Sequence, residues 1–568
     1  MSPAALRSLR IQLAGHRQQA LERSRQRLVI GVLLFIALAI VVGLRLFDLS
    51  VLQAIRRGPG IDILATLKPP RADIVDRNGE VLATSIKVQS LAVRPHLVIN
   101  DREALVERIS RALPDLDPSF IRRQVMASSK FRYLKRRLTP EEVARINAIG
   151  EPGLEFQDET ERVYPNGKLA AHVLGYTDID NEGRAGIERS FNERMLDPAR
   201  LSKPMQLSID VRVQHALEYE LQAAMNSFAA IGAAGVVMDV RTGEVLAMAS
   251  LPVFDPNAVS RSPNATWFNR ATLGVYELGS TFKAFTTAIA LDTGVVTIDK
   301  RYDATVPLKV GRFTINDDHP KKRWLTIPEI FIYSSNIGTA QMAVDSGTQT
   351  QIDYMRKLGF LEPEKIELAE TAQPLYPKVW GKIATMTVGY GHGIAVTPLH
   401  LASGMAALVN GGVWRPATLL KLAPGAEPAA GDQVFSPETS RQMRALLRMV
   451  VTDGTGRKAD APGYRVGGKT GTAEKPGVGG YRRKSLISTF AAAFPMDDPR
   501  YVVIASIDEP QGNKESYGYA TAGWVAAPVI KALVERAGPI LGVEPDIRRD
   551  VDTRAYDVYI AEKQQPVE

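Results

Sequence analysis

The chain has 568 residues, 45% of them hydrophobic, with a formal net charge of +8, seven histidines and no cysteine. That length exceeds one ordinary domain, the hydrophobic content allows sizeable cores, and the lack of cysteine excludes disulfides and thiolate metal ligands. The charge does not mark a nucleic-acid binder: six arginines against one glutamate give residues 1–27 a charge of +5, leaving +3 for the other 541.

After this basic tail, residues 28–44 are uninterrupted apolar side chains and glycine. The run extends through Leu46 and Phe47 past Arg45, whose long stem can reach the headgroups. This predicts one transmembrane anchor over 28–47, and the arginine-rich flank places the N-terminus in the cytoplasm and everything after the anchor outside. A cleaved signal peptide is the competing reading; the length of the run and the missing small-residue cleavage site argue against it. From about 61 to 208 short strands mix with charged helices, for example 102–113 and 139–150, without a nucleophile arrangement. The basic run 130–137 reads as a solvated face, or else as a surface for glycan or a partner. A helix over 210–225 follows, then a hairpin of 234–240 and 244–250 about Arg241-Thr242-Gly243. Strands 485–494 and 501–508 and a helix over 520–537 come near the end. The expected class is α+β, with an antiparallel sheet flanked by helices. Residues 546–568 are charged and read as a loose tail.

Three strings carry chemistry. Ser280-Thr281-Phe282-Lys283 follows Gly279 and opens the run Thr281 to Leu291, which reads as a buried helix with Ser280 at its N-terminus. Residues three apart share a helix face, so Lys283 points its amine toward Ser280, where free N–H groups favour negative charge. As a base Lys283 must be neutral, which needs desolvation or a neighbouring cation; Lys469 is a candidate for the second. The plain alternative is a serine N-cap followed by a solvated lysine. Ser334-Ser335-Asn336, at an apolar helix end, presents Ser334 and Asn336 to a cleft or forms an ordinary helix junction.

Lys469-Thr470-Gly471-Thr472 overlaps a trap, because Gly463 to Thr470 matches the phosphate-cradling G-x-x-x-x-G-K-[ST] pattern. A phosphate loop follows an apolar strand and starts a helix; here 457–462 is polar and the glycine-rich 471–480 cannot be helical. A strand suits it better, with Lys469, Thr470 and Thr472 gripping a carboxylate and the N–H groups of Thr472 and Ser280 forming an oxyanion hole. His392 lies near the presumed cleft and reads as a packed or solvated ring. No His-Glu-x-x-His pair or other metal site is present, and no cofactor is called for.

The ordered trio resembles the signature S-x-x-K, S-x-N, K-T-G of the penicillin-binding and serine beta-lactamase superfamily. Further similarity points to class B penicillin-binding proteins. Arg71 to Ala83 looks like their first N-terminal motif, with Ala72 where glycine is usual; Arg162-Val163-Tyr164-Pro165, His172 to Gly175 and Gly183 to Glu188 look like later ones. Gly389 to Gly393, Val396 to Leu399 and Asn410-Gly411-Gly412 are similar too. Glu277-Leu278-Gly279 departs from the usual Glu-Pro-Gly and is expected to free the turn before the nucleophile.

The resemblance, from about residue 30 to 545, implies a single transmembrane helix, an elongated mixed α/β pedestal domain over 48–208 of the dimerisation type, and a transpeptidase domain over 209–545. It implies a D,D-transpeptidase in which Ser280 is the nucleophile, Lys283 its base and Ser334 the proton relay. Asn336 orients the substrate amide, and Lys469, Thr470, Gly471 and Thr472 hold the terminal carboxylate. The implied partners are peptidoglycan stem peptides, nascent glycan strands, beta-lactams, a membrane-embedded glycan polymerase and divisome proteins. The implied place is the bacterial inner membrane, with the catalytic domain periplasmic. The septal enzyme is the nearest likeness. An elongation enzyme, a hydrolytic beta-lactamase or carboxypeptidase, and an idle membrane-anchored scaffold are the rivals.

Overall fold

The computed structural model describes residues 29–45, 70–311, 313–477 and 480–563, in two units that divide at Lys68/Pro69. In the first unit, residues 29–45 are helical and every side chain there is exposed. Among the described residues no helix is long and apolar enough to cross a membrane. Leu28, Leu46 and Phe47 of the expected anchor lie outside them.

In the second unit, β1 (Val81–Val93) is the spine of the N-terminal part. It pairs antiparallel with β2 (Arg132–Leu138) and, from Thr84↔Val163 to Val93↔Leu154, with β3 (Leu154–Val163). Three helices cover this sheet, α1 (Arg102–Ala112), the short helix Pro118–Val125 and α2 (Pro140–Asn147). α1 and α2 start where Asp101 and Thr139 accept the first free amide protons, and Glu142 completes a capping box on α2. Their apolar stripes, Leu105 and Ile109 on α1 and Ile146 on α2, pack with Leu91 and Val93. The basic run is therefore neither a free patch nor a simple solvated face. It lies largely on β2, where Lys135 pairs with Asp115 and Glu142, Arg136 with Glu159 and Arg137 with Glu161.

The N-terminal motifs converge on one buried ion cluster. Glu188 takes Arg71 Nε at 2.8 Å on one carboxylate oxygen and Arg162 Nε at 2.6 Å on the other. Arg71 also donates to the carbonyls of Glu188 and Asn181 and to Asn192 Oδ1. Close by, the entry strand Ile74–Val75 pairs in parallel with the exit strand Met205–Gln206. The Asp76 carboxylate accepts the N–H of Asn78, Glu80 and Val211, tying this part to α3 (Val211–Ser227), whose N-cap is Asp210.

The C-terminal part is built on a five-stranded antiparallel sheet of β4 (Gly232–Asp239), β5 (Val245–Leu251), β6 (Gly467–Gly477), β7 (Gly480–Phe494) and β8 (Tyr501–Asp508), in the order β6-β7-β8-β4-β5. Both faces are covered, so the strands read as apolar runs, but alternation still sorts their side chains. Val237, Phe490 and Ala492 join the core beneath α3 and α9 (Ala522–Ile540). Val236, Met238 and Ala491 join the opposite core, which holds α4 (Lys283–Asp292), α5 (Ile327–Ile332), α7 (Pro398–Val409) and α8 (Pro437–Thr452); α6 (Asn336–Ser346) packs against α4. This is the antiparallel sheet flanked by helices that the sequence leads one to expect.

The C-terminal segment to residue 563 is a correction, since it is docked rather than loose. Tyr556 and Ile560 are buried in the main core, Tyr559 O accepts Thr326 Oγ1 at 2.8 Å, and Ala561 N–H donates to Glu329 at 2.9 Å. Averaged composition hid three apolar anchors, Val551, Tyr556 and Ile560, spaced among charges.

A test follows from the ion cluster. Glu188→Ala leaves two buried guanidinium groups without their carboxylate, and breaking a buried pair costs about 3–5 kcal/mol. Urea unfolding of the full chain in detergent is expected to show the midpoint falling accordingly; an unchanged midpoint refutes the role given to Glu188.

Candidate active site

Ser280 sits in a 3-10 turn, Gly279–Phe282, and the α-helix begins only at Lys283. The serine is thus one turn ahead of the helix rather than its first residue. Thr281 Oγ1 donates to Leu278 O at 2.9 Å, and the rings of Phe282 and Phe285 pack on Phe360 at centroid distances of 5.4 and 4.9 Å. Leu278 is buried in the same core with φ −95. Its side chain packs in the core at the turn that the usual proline would restrict through φ. Gly279 has φ +52, and a Cβ there would stand 2.6 Å from Thr472 O; a Cβ on Gly471 would stand 2.2 Å from Leu278 O. The nucleophile's turn and the edge strand β6 therefore meet backbone to backbone, and neither glycine accepts a side chain.

The second string forms an elbow. α5 starts in a capping box of Thr326 and Glu329 and ends at Tyr333. Ser334 then takes φ +62, and α6 restarts with Ser335 as its N-cap. A positive φ on a non-glycine residue is held by its surroundings, and here two lysines hold it. Lys283 Nζ donates to Ser334 O at 2.5 Å and to Ser334 Oγ at 3.0 Å; Lys469 Nζ donates to the same Oγ at 3.0 Å and to Thr470 O at 3.2 Å. With both lone pairs of Oγ taken, its own hydrogen is left to donate. Among the described residues no hydrogen bond joins Ser280 Oγ to Lys283 Nζ, so the expected contact is replaced in this state by the bond to Ser334.

Both lysines are almost wholly buried, at 1% and 0% exposure. Burial pushes Lys283 down to about 7, while the carboxylates of Asp317 and Asp318 pull the other way. Burial, then the charge of Lys283, pushes Lys469 well below the ordinary lysine range. Two ammonium groups on one hydroxyl repel, so a proton on either amine disfavours one on the other.

The remaining predicted residues line the same place. Thr470 Oγ1 is 2.8 Å from Thr455 Oγ1, and Thr472 Oγ1 accepts Ala522 N–H at 3.0 Å, which leaves its hydrogen to donate. Asn336 Nδ2 donates to Asn316 O at 2.8 Å. The phosphate-loop pattern is overturned, because Gly467 to Gly477 is a strand with no helix after it. His392 pairs with Glu277 at 3.2 Å beside the turn. Sequence reasoning missed Asp317, whose carboxylate accepts Ser335 Oγ at 2.7 Å and Ile337 N–H at 3.0 Å and so braces the elbow. It lies outside all three strings and carries no local signal.

Comparison with known proteins agrees with this arrangement. Residues 233–535 match the penicillin binding protein transpeptidase domain and residues 66–196 the penicillin-binding protein dimerisation domain. The chain is 43% identical over 503 residues to the probable peptidoglycan D,D-transpeptidase FtsI of Caulobacter vibrioides, covering 86% of this chain and 84% of that one. It is 31% identical to the peptidoglycan D,D-transpeptidase FtsI of Escherichia coli, covering 84% of each. Among solved structures it is similar to penicillin binding protein 3 of Mycobacterium tuberculosis complexed with aztreonam, at 26% identity and a TM-score of 0.66, covering 84% of this chain and 98% of that one. With both domain families matched and relatives of this identity over most of its length, the chain belongs to the class B penicillin-binding proteins.

Proposed function

We propose that this chain is a peptidoglycan D,D-transpeptidase of septal wall synthesis. The observation that carries the chemistry is Ser334 Oγ bridging Lys283 and Lys469 at 3.0 Å each, with the Ser280 turn packed against the strand that bears Lys469. The septal assignment is supported by the FtsI relatives and by the likeness of Ser334-Ser335-Asn336 and the compact segment after Lys469 to the septal enzyme. The apolar run 28–47 anchors the chain in the inner membrane; its arginine-rich flank supports a cytoplasmic N-terminus and a periplasmic catalytic domain. We take the pedestal as 48–208 and the transpeptidase domain as 209–545. Nascent glycan, a membrane-embedded glycan polymerase and divisome proteins meet the pedestal and anchor.

In the reaction, the terminal carboxylate of a stem peptide enters beside Lys469, Thr470 and Thr472, and its charge favours the protonated form of Lys469. Lys283 is then neutral. Catalytic hydrogen bonds tighten in the complex, so its Nζ leaves the Ser334 carbonyl and takes the Ser280 proton as Oγ attacks the penultimate D-alanine carbonyl. The N–H groups of Ser280 and Thr472 hold the oxyanion, and Asn336 orients the substrate amide. Ser334 passes a proton to the departing D-alanine amine, which breaks the peptide bond and leaves an ester on Ser280. An amine of a second stem attacks that ester, loses a proton through Ser334 and Lys283, and releases Ser280 with the crosslink made. Beta-lactams acylate the same oxygen.

Two measurements check this reading. Incubating the full chain in detergent with a fluorescent penicillin is expected to give a slowly hydrolysed adduct on Ser280 by peptide mass mapping. Ser280→Ala is expected to lose acylation by about three orders of magnitude or more with unchanged unfolding. An adduct that persists in the variant sinks the assignment. Second, because protonation of Lys283 removes the base, the acylation rate is expected to rise with pH through a midpoint of about 7, until Lys469 loses the proton that holds the substrate carboxylate. A rate flat from pH 5.5 to 8.5 excludes Lys283 as the base.

A further inference from the structure

A cavity of about 510 Å³ opens between the segment Val275–Glu277, just before the nucleophile's turn, and the β6 residues Glu474 and Lys475, and the mechanism above does not use it. Tyr276, Leu375, Pro377 and Ile487 give it apolar walls, and two carboxylates stand in its lining. Glu277 is three residues before Ser280; it accepts Gly393 N–H at 2.9 Å and pairs with His392. Glu474 is two residues beyond Thr472 on β6, half-buried, and among the described residues no hydrogen bond or ion pair engages its carboxylate. The cation in the wall, Lys475, is committed to Asp508 at 2.8 Å and Glu509 at 2.9 Å. An apolar cleft with an unengaged carboxylate at its side fits an alkyl chain that ends in an ammonium group.

The register of β6 says which part of the substrate arrives there. β6 is the edge of the sheet, paired on one side with β7, so its other side is open to an extended peptide. A donor stem with its terminal carboxylate at Lys469, Thr470 and Thr472 and its earlier residues toward Glu474 runs antiparallel to β6. Its third residue from the end then lies about 7 Å further along the strand, at 3.3 Å per residue. Thr470 and Glu474 are four residues apart, about 13 Å, and a four-carbon side chain covers the remainder. Stems that crosslink to one another each carry the acceptor amine, so a donor stem carries one too.

We propose that this cavity is a specificity subsite for the donor stem, in which the side-chain ammonium of its diamino acid pairs with Glu474 over the apolar walls. The proposal rests on the transpeptidase reading of the site and names the substrate feature that site selects.

The test uses the full chain in detergent and depsipeptide donors acyl-X-D-Ala-D-lactate, with X as L-lysine, L-norleucine or Nε-acetyl-L-lysine, followed by D-lactate release and the mass of the Ser280 adduct. The lysyl donor is expected to acylate about tenfold faster in kcat/KM than the other two, the factor that a charge-assisted pair of about 1.4 kcal/mol confers. In Glu474→Gln the lysyl-to-norleucyl ratio is expected to fall toward one. Equal rates for lysyl and norleucyl donors on the unaltered chain overturn the proposal while an adduct on Ser280 upholds the transpeptidase reading. A lysyl preference confined to aminolysis of a preformed norleucyl acyl-enzyme also overturns it, by giving the cavity to the acceptor. No adduct from any donor or from fluorescent penicillin overturns both readings.

Discussion

Two lysine amines held dry against one serine hydroxyl is the constraint on which the rest of the site depends. Lys283 comes from the first turn of α4 and Lys469 from the edge strand, 51 and 135 residues from Ser334 in sequence. In water each amine would keep its proton near neutrality; burial, and for Lys469 the charge of Lys283, pushes both below the ordinary lysine range. That makes the site responsive to an anion. In the proposed reaction a carboxylate arriving at Lys469 favours a charge there and leaves the other amine to act as the base, which links substrate binding to activation of the nucleophile through electrostatics.

Such a pair is useful only if its geometry cannot relax, since a water molecule or a shift of one ångström would let both amines ionise. The fold answers with backbone contacts rather than long side chains. The Ser280 turn is pressed on β6 at Gly279 and Gly471, where no Cβ fits. The Ser334 elbow is held by Asp317 on the α6 side, and on the α5 side by Glu329, which also receives Arg323 and the docked C-terminal segment through Ala561. The far end of the chain thus helps fix a residue more than two hundred positions before it.

The sequence made the chemistry more legible than its support. Ser280, Lys283, Ser334 and Lys469 announce themselves because the proposed reaction needs those residue types in that order; the structure brings Lys283 and Lys469 onto Ser334 and sets the Ser280 turn against β6. The strand reading of Lys469 to Thr472 was available from the glycines that rule out a helix after it. The 3-10 turn was not legible, because Thr281 to Leu291 has a helical pattern whether the helix starts at residue 280 or 283. Nor was Asp317, which acts through two hydrogen bonds from the loop after the strand Phe313–Ile315, a segment with no motif of its own. The C-terminal segment was misread since charge density predicts solvation only when no apolar anchors recur, and Tyr556 and Ile560 do recur. The basic run on β2 was misjudged for a related reason: its acidic partners come from other strands and loops, beyond any local window.

The buried cluster of Arg71, Arg162 and Glu188 raises a different question, because well-packed apolar residues would stabilise the same volume as well. Its value lies in direction. Two guanidinium forks on one carboxylate, with Asn181, Asn192 and the Glu188 carbonyl filling Arg71's remaining donors, accept one arrangement of three distant segments and no slipped register. That arrangement sets the entry strand Ile74–Val75 beside the exit strand Met205–Gln206, and Asp76 carries the alignment on to the first amide of α3. The side of the sheet opposite the catalytic trio is covered by α3. An N-terminal part without catalytic residues therefore still determines where the catalytic sheet begins, which is a physical reason for its charged motifs to be as specific as those of the active site.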